Sequence, residues 1–96
     1  MFEVRQTLIF QKWFRDLRDL RARAQIIRRI ERAQVGNLGD VEPVGDGVSE
    51  MRIHYGPGYR VYFLQRGQDV IFLLSGGDKT SQRRDISAAI RLSKEI

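Results

Sequence analysis

Six polar side chains in the second half of the chain have residue types that could act together on a phosphodiester. They are Glu50, Arg52, His54, Arg60, Tyr62 and Lys79. Cleavage of a phosphodiester needs cations that hold the phosphate and stabilise the charge that develops in the transition state. It also needs a base for the attacking hydroxyl and an acid for the leaving oxygen. This set contains a candidate for each of these roles.

The same set needs no nucleophile from the protein if the substrate is RNA. RNA carries its own nucleophile, the 2′-hydroxyl, so the residues fit metal-free cleavage of RNA better than hydrolysis of DNA. The chain contains no cysteine and one histidine. We therefore expect no zinc or iron site, since such sites are built mainly from these ligands, and no cofactor.

Three predicted strands must position these side chains. The strands cover Val48–Tyr55, Tyr59–Arg66 and Val70–Ser75, and the spacers Gly56-Pro57-Gly58 and Gly67-Gln68 have the composition and length of hairpin turns. A three-residue first turn predicts one apolar face, with Ile53 opposite Val61 and Met51 opposite Phe63. A two-residue second turn predicts that Val61 lies opposite Leu74 and Phe63 opposite Phe72, on that same face. A one-residue shift in either register would move the apolar side chains of a strand to the other face, so the agreement of the two registers supports both.

The other face of this sheet is predicted to carry the polar set. There Arg60 is expected opposite His54, Tyr62 opposite Arg52, and Leu64 opposite Glu50. The run Gly76-Gly77-Asp78-Lys79 then brings the lysine to the end of the sheet, near Ser75 and therefore near Arg60. Alternation of side chains along strands thus predicts one shallow cationic patch.

The remaining elements follow from helical and strand periodicity. Phe2–Arg5 alternates as a short strand, Thr7 can cap a helix, and a second helix starts near Arg21 and ends before Gly36. Residues 36–47 are predicted to be loop, and a last helix begins near Thr80 or Ser81. The apolar stripes of the three helices are Phe10, Trp13, Phe14 and Leu17; Ala22, Ile26, Ile30 and Ala33; and Ile86, Ala89 and Ile90. The expected fold is one α+β domain over residues 1–96. It has a three- to four-stranded antiparallel sheet, two N-terminal helices on one face and a C-terminal helix at the edge of the other.

The net positive charge of the chain indicates which kind of partner it binds. Seventeen Lys and Arg against twelve Asp and Glu give a formal charge of +5, and most of the cations are arginines. The arginine side chain matches phosphate oxygens bidentately, so nucleic acid is the leading partner, although a solvated arginine-rich surface explains the same composition. The longest apolar run, Val70–Leu74, is far shorter than the ~20 residues of a membrane span. The first residues lack the pattern of a secretory signal, so a cytoplasmic protein that uses no membrane is expected.

Four runs of sequence, spread over essentially the whole chain, resemble a known family. The runs VSEMRIHYGPGYRVYF and VIFLLSGGDKTSQRRDI, with TLIFQKWFRDLRD and GNLGDVEPVGDGVSE ahead of them, resemble the RelE/ParE superfamily of bacterial toxins. They are most similar to its HigB-like "addiction module killer" branch. The resemblance implies a compact RelE-like, microbial-RNase-like fold and a toxin of a type II toxin–antitoxin module. It also implies cleavage of mRNA on the ribosome and neutralisation by a cognate helix-turn-helix antitoxin.

The resemblance also suggests roles for the strand residues. It implies that Arg60 of GYRVYF stabilises the transition state, that Arg52 binds the backbone, and that Glu50 is the base. Each residue also has a purely structural interpretation: Arg60 forms an ion pair with Glu50, Arg52 is a solvated strand residue, and Glu50 balances the charge of the two arginines. The His-Tyr or Asp-Tyr-His combinations that several members carry near the C-terminus are absent from this sequence.

The other candidates also have two interpretations. Lys79 contacts phosphate or protonates the leaving oxygen, or is simply an exposed lysine at the start of a helix. His54, whose ordinary pKa lies near neutrality, is a possible acid or a surface residue. Tyr62 positions or stacks on the substrate, or packs in the core.

Two other functions stay open at this point. A ParE-like toxin would inhibit DNA gyrase and cut no nucleic acid, although a pure binder has no need of clustered Arg, Glu and Lys. An inactive toxin homologue would act only through its antitoxin complex.

Overall fold

The chain folds around a mixed five-stranded sheet with helices on both faces. The structure is a computed structural model that describes all 96 residues. The strands are β1 (Glu3–Gln6), β2 (Val41–Gly45), β3 (Val48–Ile53), β4 (Tyr59–Arg66) and β5 (Val70–Gly77). The helices are α1 (Leu8–Asp16), α2 (Leu20–Gln34) and α3 (Gln82–Ser93), the last preceded by a 3₁₀ turn at Lys79–Ser81. The predicted α+β class is confirmed.

The predicted strand count was too low, and the prediction of a wholly antiparallel sheet was wrong at one edge. The sheet order is β1-β5-β4-β3-β2, with β1 parallel to β5 and the other pairs antiparallel. The strand predicted at the N-terminus forms one edge. Residues 36–47 were wrongly predicted as loop throughout, since Val41–Gly45 forms the other edge strand. Pro43 lies in that strand, where an edge position tolerates a residue that lacks a backbone N–H.

The helices begin and end close to the predicted positions. Thr7 caps α1 by accepting a hydrogen bond from the Phe10 N–H at 3.0 Å, and its hydroxyl donates to the Leu74 carbonyl at 2.6 Å. Asp19 caps α2, which begins at Leu20. Gly36 follows α2 with φ +96°, a left-handed conformation that glycine adopts at little cost. None of the helices has both the length and the apolar character needed to cross a bilayer.

Two hydrophobic clusters lie on opposite faces of the sheet. The larger one joins Phe10 of α1 and Ile26 of α2 to side chains of β3, β4 and β5. The smaller one places Ala89 of α3 against Val48, Tyr62 and Leu74. The prediction that the N-terminal helices cover one face is confirmed, and α3 packs on the opposite face.

The β3–β4 hairpin differs from its predicted register by two residues. Met51 pairs with Val61, Arg52 with Arg60, and Glu50 with Tyr62. The predicted three-residue turn is wrong because His54 and Tyr55 leave the ladder, so five residues connect the strands. A shift of two residues preserves the alternation of faces. The predicted faces of both strands therefore hold, although the cross-strand partners change.

The β4–β5 hairpin contradicts its predicted register and reverses the faces of β5. Its turn has three residues, Gly67–Asp69, rather than two, so Phe63 pairs with Leu73. As a result, Leu73 belongs to the cluster under the N-terminal helices, whereas Phe72 and Leu74 belong to the cluster on the α3 side.

A β-bulge then shifts the pairing again near the site. The register changes between Phe63 and Tyr62, so Tyr62 pairs with Ser75 and Arg60 pairs with Gly77 rather than with Ser75. Strand β5 therefore extends through the two glycines that were predicted to belong to the connection.

The two glycines at the end of β5 are enclosed on both faces. A Cβ atom on Gly76 would lie 2.3 Å from the Trp13 ring, and one on Gly77 would lie 1.9 Å from Asp85 Oδ2. Both distances are shorter than any van der Waals contact. Only glycine lets α1 and α3 approach this end of the strand so closely.

Candidate functional site

Two arginines lie directly opposite each other on the central strands. Arg52 of β3 pairs with Arg60 of β4, on the sheet face that also carries Glu50 and Tyr62. Like charges placed opposite one another on neighbouring strands destabilise a sheet. The arrangement therefore requires a compensating anion, and strand alternation puts Glu50, two residues before Arg52, on the same face.

The Glu50 carboxylate is buried beneath the arginine pair. Its Oε2 atom lies 3.1 Å from Arg52 Nε and 3.7 Å from Arg60 Nε. The Nε2 group of Gln82, the first residue of α3, donates to Oε1 at 2.9 Å and to Oε2 at 3.2 Å. Glu50 is 1% exposed. Both carboxylate oxygens are thus engaged by the protein, and the hydrogen bond from Arg52 to Glu50 raises the pKa of Arg52.

Arg60 is held mainly by the turn before it. Its Nη1 group donates to the carbonyls of Gly58 and Tyr59, at 3.1 and 3.2 Å. Its Nε atom is buried without a hydrogen-bond partner, apart from its ion pair with Glu50. Only 7% of the side chain is exposed, so the guanidinium is fixed in orientation.

The turn also brings Lys79 to this place. Gly58 has φ +78°, and a Cβ atom there would lie 3.2 Å from Lys79 Cδ. The backbone N–H of Lys79 donates to the Pro57 carbonyl at 3.4 Å. Because Gly58 has no side chain, the lysine stem packs over the turn beside the Arg60 guanidinium.

These residues line an open pocket of about 490 Å³. Its walls are Arg52, His54, Tyr55, Gly56, Pro57, Gly58, Arg60 and Lys79. Three of the lining side chains are cationic, and none is a carboxylate. Such a pocket suits an anion with several oxygens, and the planar arginine donors suit a phosphate in particular.

His54 lies at the rim and pairs with Asp40. Its Nε2 atom forms a hydrogen bond with Asp40 Oδ2. This hydrogen bond is the main reason why the pKa of Asp40 is lowered. Asp40 precedes β2, in the segment predicted as loop, and no sequence spacing indicated that it would meet a histidine fourteen residues later.

Tyr62 is enclosed by the smaller hydrophobic cluster and does not face the pocket. Its residue exposure is 0%, and its hydroxyl has no hydrogen-bond partner. Burial raises the pKa of Tyr62, and the neighbouring Glu50 and Asp85 carboxylates add to the shift. A substrate base has no open ring face to stack on in this arrangement.

The structure therefore divides the six predicted residues into two layers. Arg52, His54, Arg60 and Lys79 reach the pocket, whereas Glu50 and Tyr62 lie beneath it. Sequence reasoning missed Gln82, which lies in the quoted run TSQRRDI but carried no sign that it would contact Glu50. Nowhere do three or more His, Cys, Asp or Glu side chains gather as metal ligands.

Comparisons with known proteins place these features in a family. Residues 12–94 match the family described as "Phage derived protein Gp49-like (DUF891)". A relative from Haemophilus influenzae, titled "Uncharacterized protein", is 45% identical over 94 residues, which cover 98% of this chain and 95% of that protein. The family match includes every residue of the pocket.

Proposed function

The chain belongs to the phage-derived Gp49-like family, a toxin-like family of the RelE/HigB type, and from that premise we propose that it is an endoribonuclease toxin. In this proposal it is the toxin of a type II toxin–antitoxin module with a RelE-like fold. It cleaves mRNA on the ribosome without a metal ion. The observation that carries the proposal is the pocket without carboxylates, in which Arg52, Arg60 and Lys79 converge above a buried glutamate.

The arginines would act on the scissile phosphate. Arg60 Nη2 makes no hydrogen bond within the protein, and Arg60 lines the pocket, so this group is left to donate to a phosphate oxygen. Because Glu50 and the turn already fix the guanidinium, little reorganisation is needed as charge develops on the phosphate. A donor preorganised in this way typically contributes about 2.7–4 kcal/mol to transition-state stabilisation.

The reaction begins with attack of the 2′-oxygen on phosphorus. The bond from phosphorus to the 5′-oxygen then breaks, which yields a 2′,3′-cyclic phosphate and a 5′-hydroxyl end. The proton of the 2′-hydroxyl must go to a base, and the leaving 5′-oxygen must receive a proton. Both transfers can be made by side chains at the rim of the pocket.

His54 and Lys79 are assigned to these transfers. Nε2 of His54 is hydrogen-bonded to Asp40 Oδ2, so Nδ1 is the ring atom left to accept the 2′-proton. Lys79 lies beside Arg60 in the pocket, and in this proposal it protonates the leaving oxygen. Glu50, with both oxygens engaged, serves in this proposal as the counter-ion of the arginines rather than as the base.

The antitoxin is the second partner. An acidic segment seated in the pocket would occupy the phosphate position and neutralise the same cations. The resemblance of the sequence to HigB-like toxins supports a helix-turn-helix protein in this role.

The test is growth arrest combined with mapping of mRNA 5′ ends, with and without purified ribosomes. Arg60→Ala is expected to abolish both arrest and cleavage. Arg66→Ala is the matched control, because this arginine lies at the far end of β4, where its Nη1 group donates to the Ile96 carbonyl. DNA damage with intact mRNA would instead identify a gyrase inhibitor. Absence of arrest from the wild type would identify an inactive homologue.

A further inference from the structure

A second, smaller cationic pocket adjoins the first. It has a volume of about 190 Å³ and is lined by Gln25, Arg28, Arg29, Arg32, Ile53 and His54. We call the part of this pocket contributed by α2 the α2 surface, namely Gln25, Arg28, Arg29 and Arg32. Since His54 lines both pockets, the α2 surface continues directly from the proposed catalytic pocket.

Two arginines of the α2 surface are unneutralised. Arg28 and Arg32 are exposed, and neither forms an ion pair with a carboxylate. Their spacing of four residues places them side by side on the helix, where like charges repel and reduce helix stability. A polyanion bound here would remove that repulsion.

Arg29 fixes the α2 surface relative to the catalytic pocket. Its Nη2 group donates to the carbonyls of Leu38 and Asp40, both at 3.1 Å, and its Nη1 group donates to the Arg52 carbonyl. The backbone of a catalytic-pocket residue is therefore tied directly to α2. This contact holds the two pockets in a fixed relative position, which one continuous ligand spanning both would require.

The chemistry of the α2 surface favours RNA over protein. Protein interfaces are enriched in arginine as well, but their centres are desolvated and anchored by aromatic side chains. The single apolar side chain at this pocket, Ile53, is 1% exposed and belongs to the core. What remains accessible is guanidinium, amide and imidazole, a set of donors suited to phosphate oxygens.

We propose that the RNA strand passes from the catalytic pocket across His54 and over the α2 surface. Arg28 and Arg32 bind the phosphates of nucleotides that flank the cleaved bond. The contacts involve the backbone only, so they add affinity without sequence preference. This proposal rests on the proposed ribonuclease function, because it extends the substrate site of that activity.

The experiment measures binding of a short 2′-O-methylated oligonucleotide, which lacks the attacking hydroxyl, over a series of salt concentrations. For single strands, the slope of log K against log salt falls by about 0.7 for each phosphate contact removed. We therefore expect R28Q and R32Q each to reduce the slope by about 0.7, and the double variant by about twice that. Arg91→Gln, an exposed arginine in the last turn of α3, is the matched control and should leave the slope unchanged.

The outcomes separate this proposal from the proposed function. If the wild type fails to cleave mRNA but R28Q and R32Q reduce the slope, RNA binding by the α2 surface stands and the nuclease function fails. If R60A abolishes cleavage but the double variant binds RNA as R91Q does, the α2 proposal is overturned and the function stands. If R28Q and R32Q leave the RNA slope unchanged but weaken binding of the cognate antitoxin, the α2 surface is a protein docking surface and the proposal is overturned.

Discussion

The Glu50 carboxylate lies directly beneath the Arg60 guanidinium, with Oε2 3.7 Å from Nε and side-chain exposures of only 2% and 7%. A buried charge is tolerated only when it is paired, so each group depends on the other. Arg52 and Gln82 complete the environment of the carboxylate. The Glu50 side chain therefore both neutralises the buried arginine and helps to fix its orientation at the pocket.

Replacement of Glu50 by Gln should therefore reduce stability together with the proposed nuclease activity. The amide keeps the size of the side chain but leaves buried Arg60 without a counter-ion, which typically costs about 3–5 kcal/mol. The free energy of unfolding from urea titration measures the effect. Glu42→Gln is the control, since that carboxylate is exposed, 3.7 Å from Arg52 Nη2, and should cost less than about 1 kcal/mol. Equal stability of the two variants would contradict this account of the pair.

Replacement of Tyr62 by Phe should leave stability at neutral pH unchanged or slightly higher. The Tyr62 hydroxyl is buried without a partner, and an unsatisfied buried polar group costs about 1–3 kcal/mol. Tyr55→Phe provides the contrast, because its hydroxyl donates to Asp19 Oδ2 at 2.9 Å and its loss should destabilise. Under the proposed function, mRNA cleavage by the Tyr62 variant should match that by the wild type. A fall in cleavage without a fall in stability would restore Tyr62 to the reacting surface.

The same tyrosine predicts how stability changes in alkali. Burial raises the pKa of Tyr62 above its value in the unfolded chain, about 10. The folded state therefore retains a proton that the unfolded state releases. Stability from this group is complete below pH 10 and decreases as pH rises above it, by about 1.4 kcal/mol per pH unit. Unfolding measured from pH 9 to 11 should show a shallower decrease for Tyr62→Phe, and identical slopes would contradict the assignment.

The correct predictions depend on the alternation of side chains along a strand. A register error of two residues preserves the predicted faces, whereas an error of one residue reverses them. The β3–β4 turn was misjudged by two residues, yet Arg52 and Arg60 share a face because an even shift preserves it. The β4–β5 turn was misjudged by one residue, so Leu73 and Leu74 exchanged faces. The burial of Glu50 could not be predicted, since it depends on Gln82 and hence on where α3 docks.

Among the arginines of the α2 surface, we expect Arg29 to contribute most to the stability of the fold. Its guanidinium donates to three backbone carbonyls, those of Leu38, Asp40 and Arg52, in a planar arrangement that a lysine ammonium cannot reproduce. We expect Arg29→Lys to lower the free energy of unfolding by about 1–3 kcal/mol. The neighbouring Arg28→Lys should stay within about 0.5 kcal/mol of the wild type. Thermal or urea unfolding distinguishes them, and equal effects would show that the carbonyl contacts contribute little.

The approach of Asp85 to Gly77 predicts a steric penalty that a second mutation relieves. Gly77→Ala would place Cβ 1.9 Å from Asp85 Oδ2, and overpacking of this kind typically costs about 1–3 kcal/mol. In an Asp85→Ala background that atom is absent, so the same substitution should cost less, with a coupling of at least about 0.5 kcal/mol. Gly76→Ala is the control, because its Cβ meets Trp13 on the opposite face and should add independently of Asp85. Since Gly77 pairs with Arg60, the proposed cleavage activity should recover along with stability in the double variant. Strict additivity of Gly77→Ala and Asp85→Ala would mean that α3 does not pack against the sheet at the pocket as described.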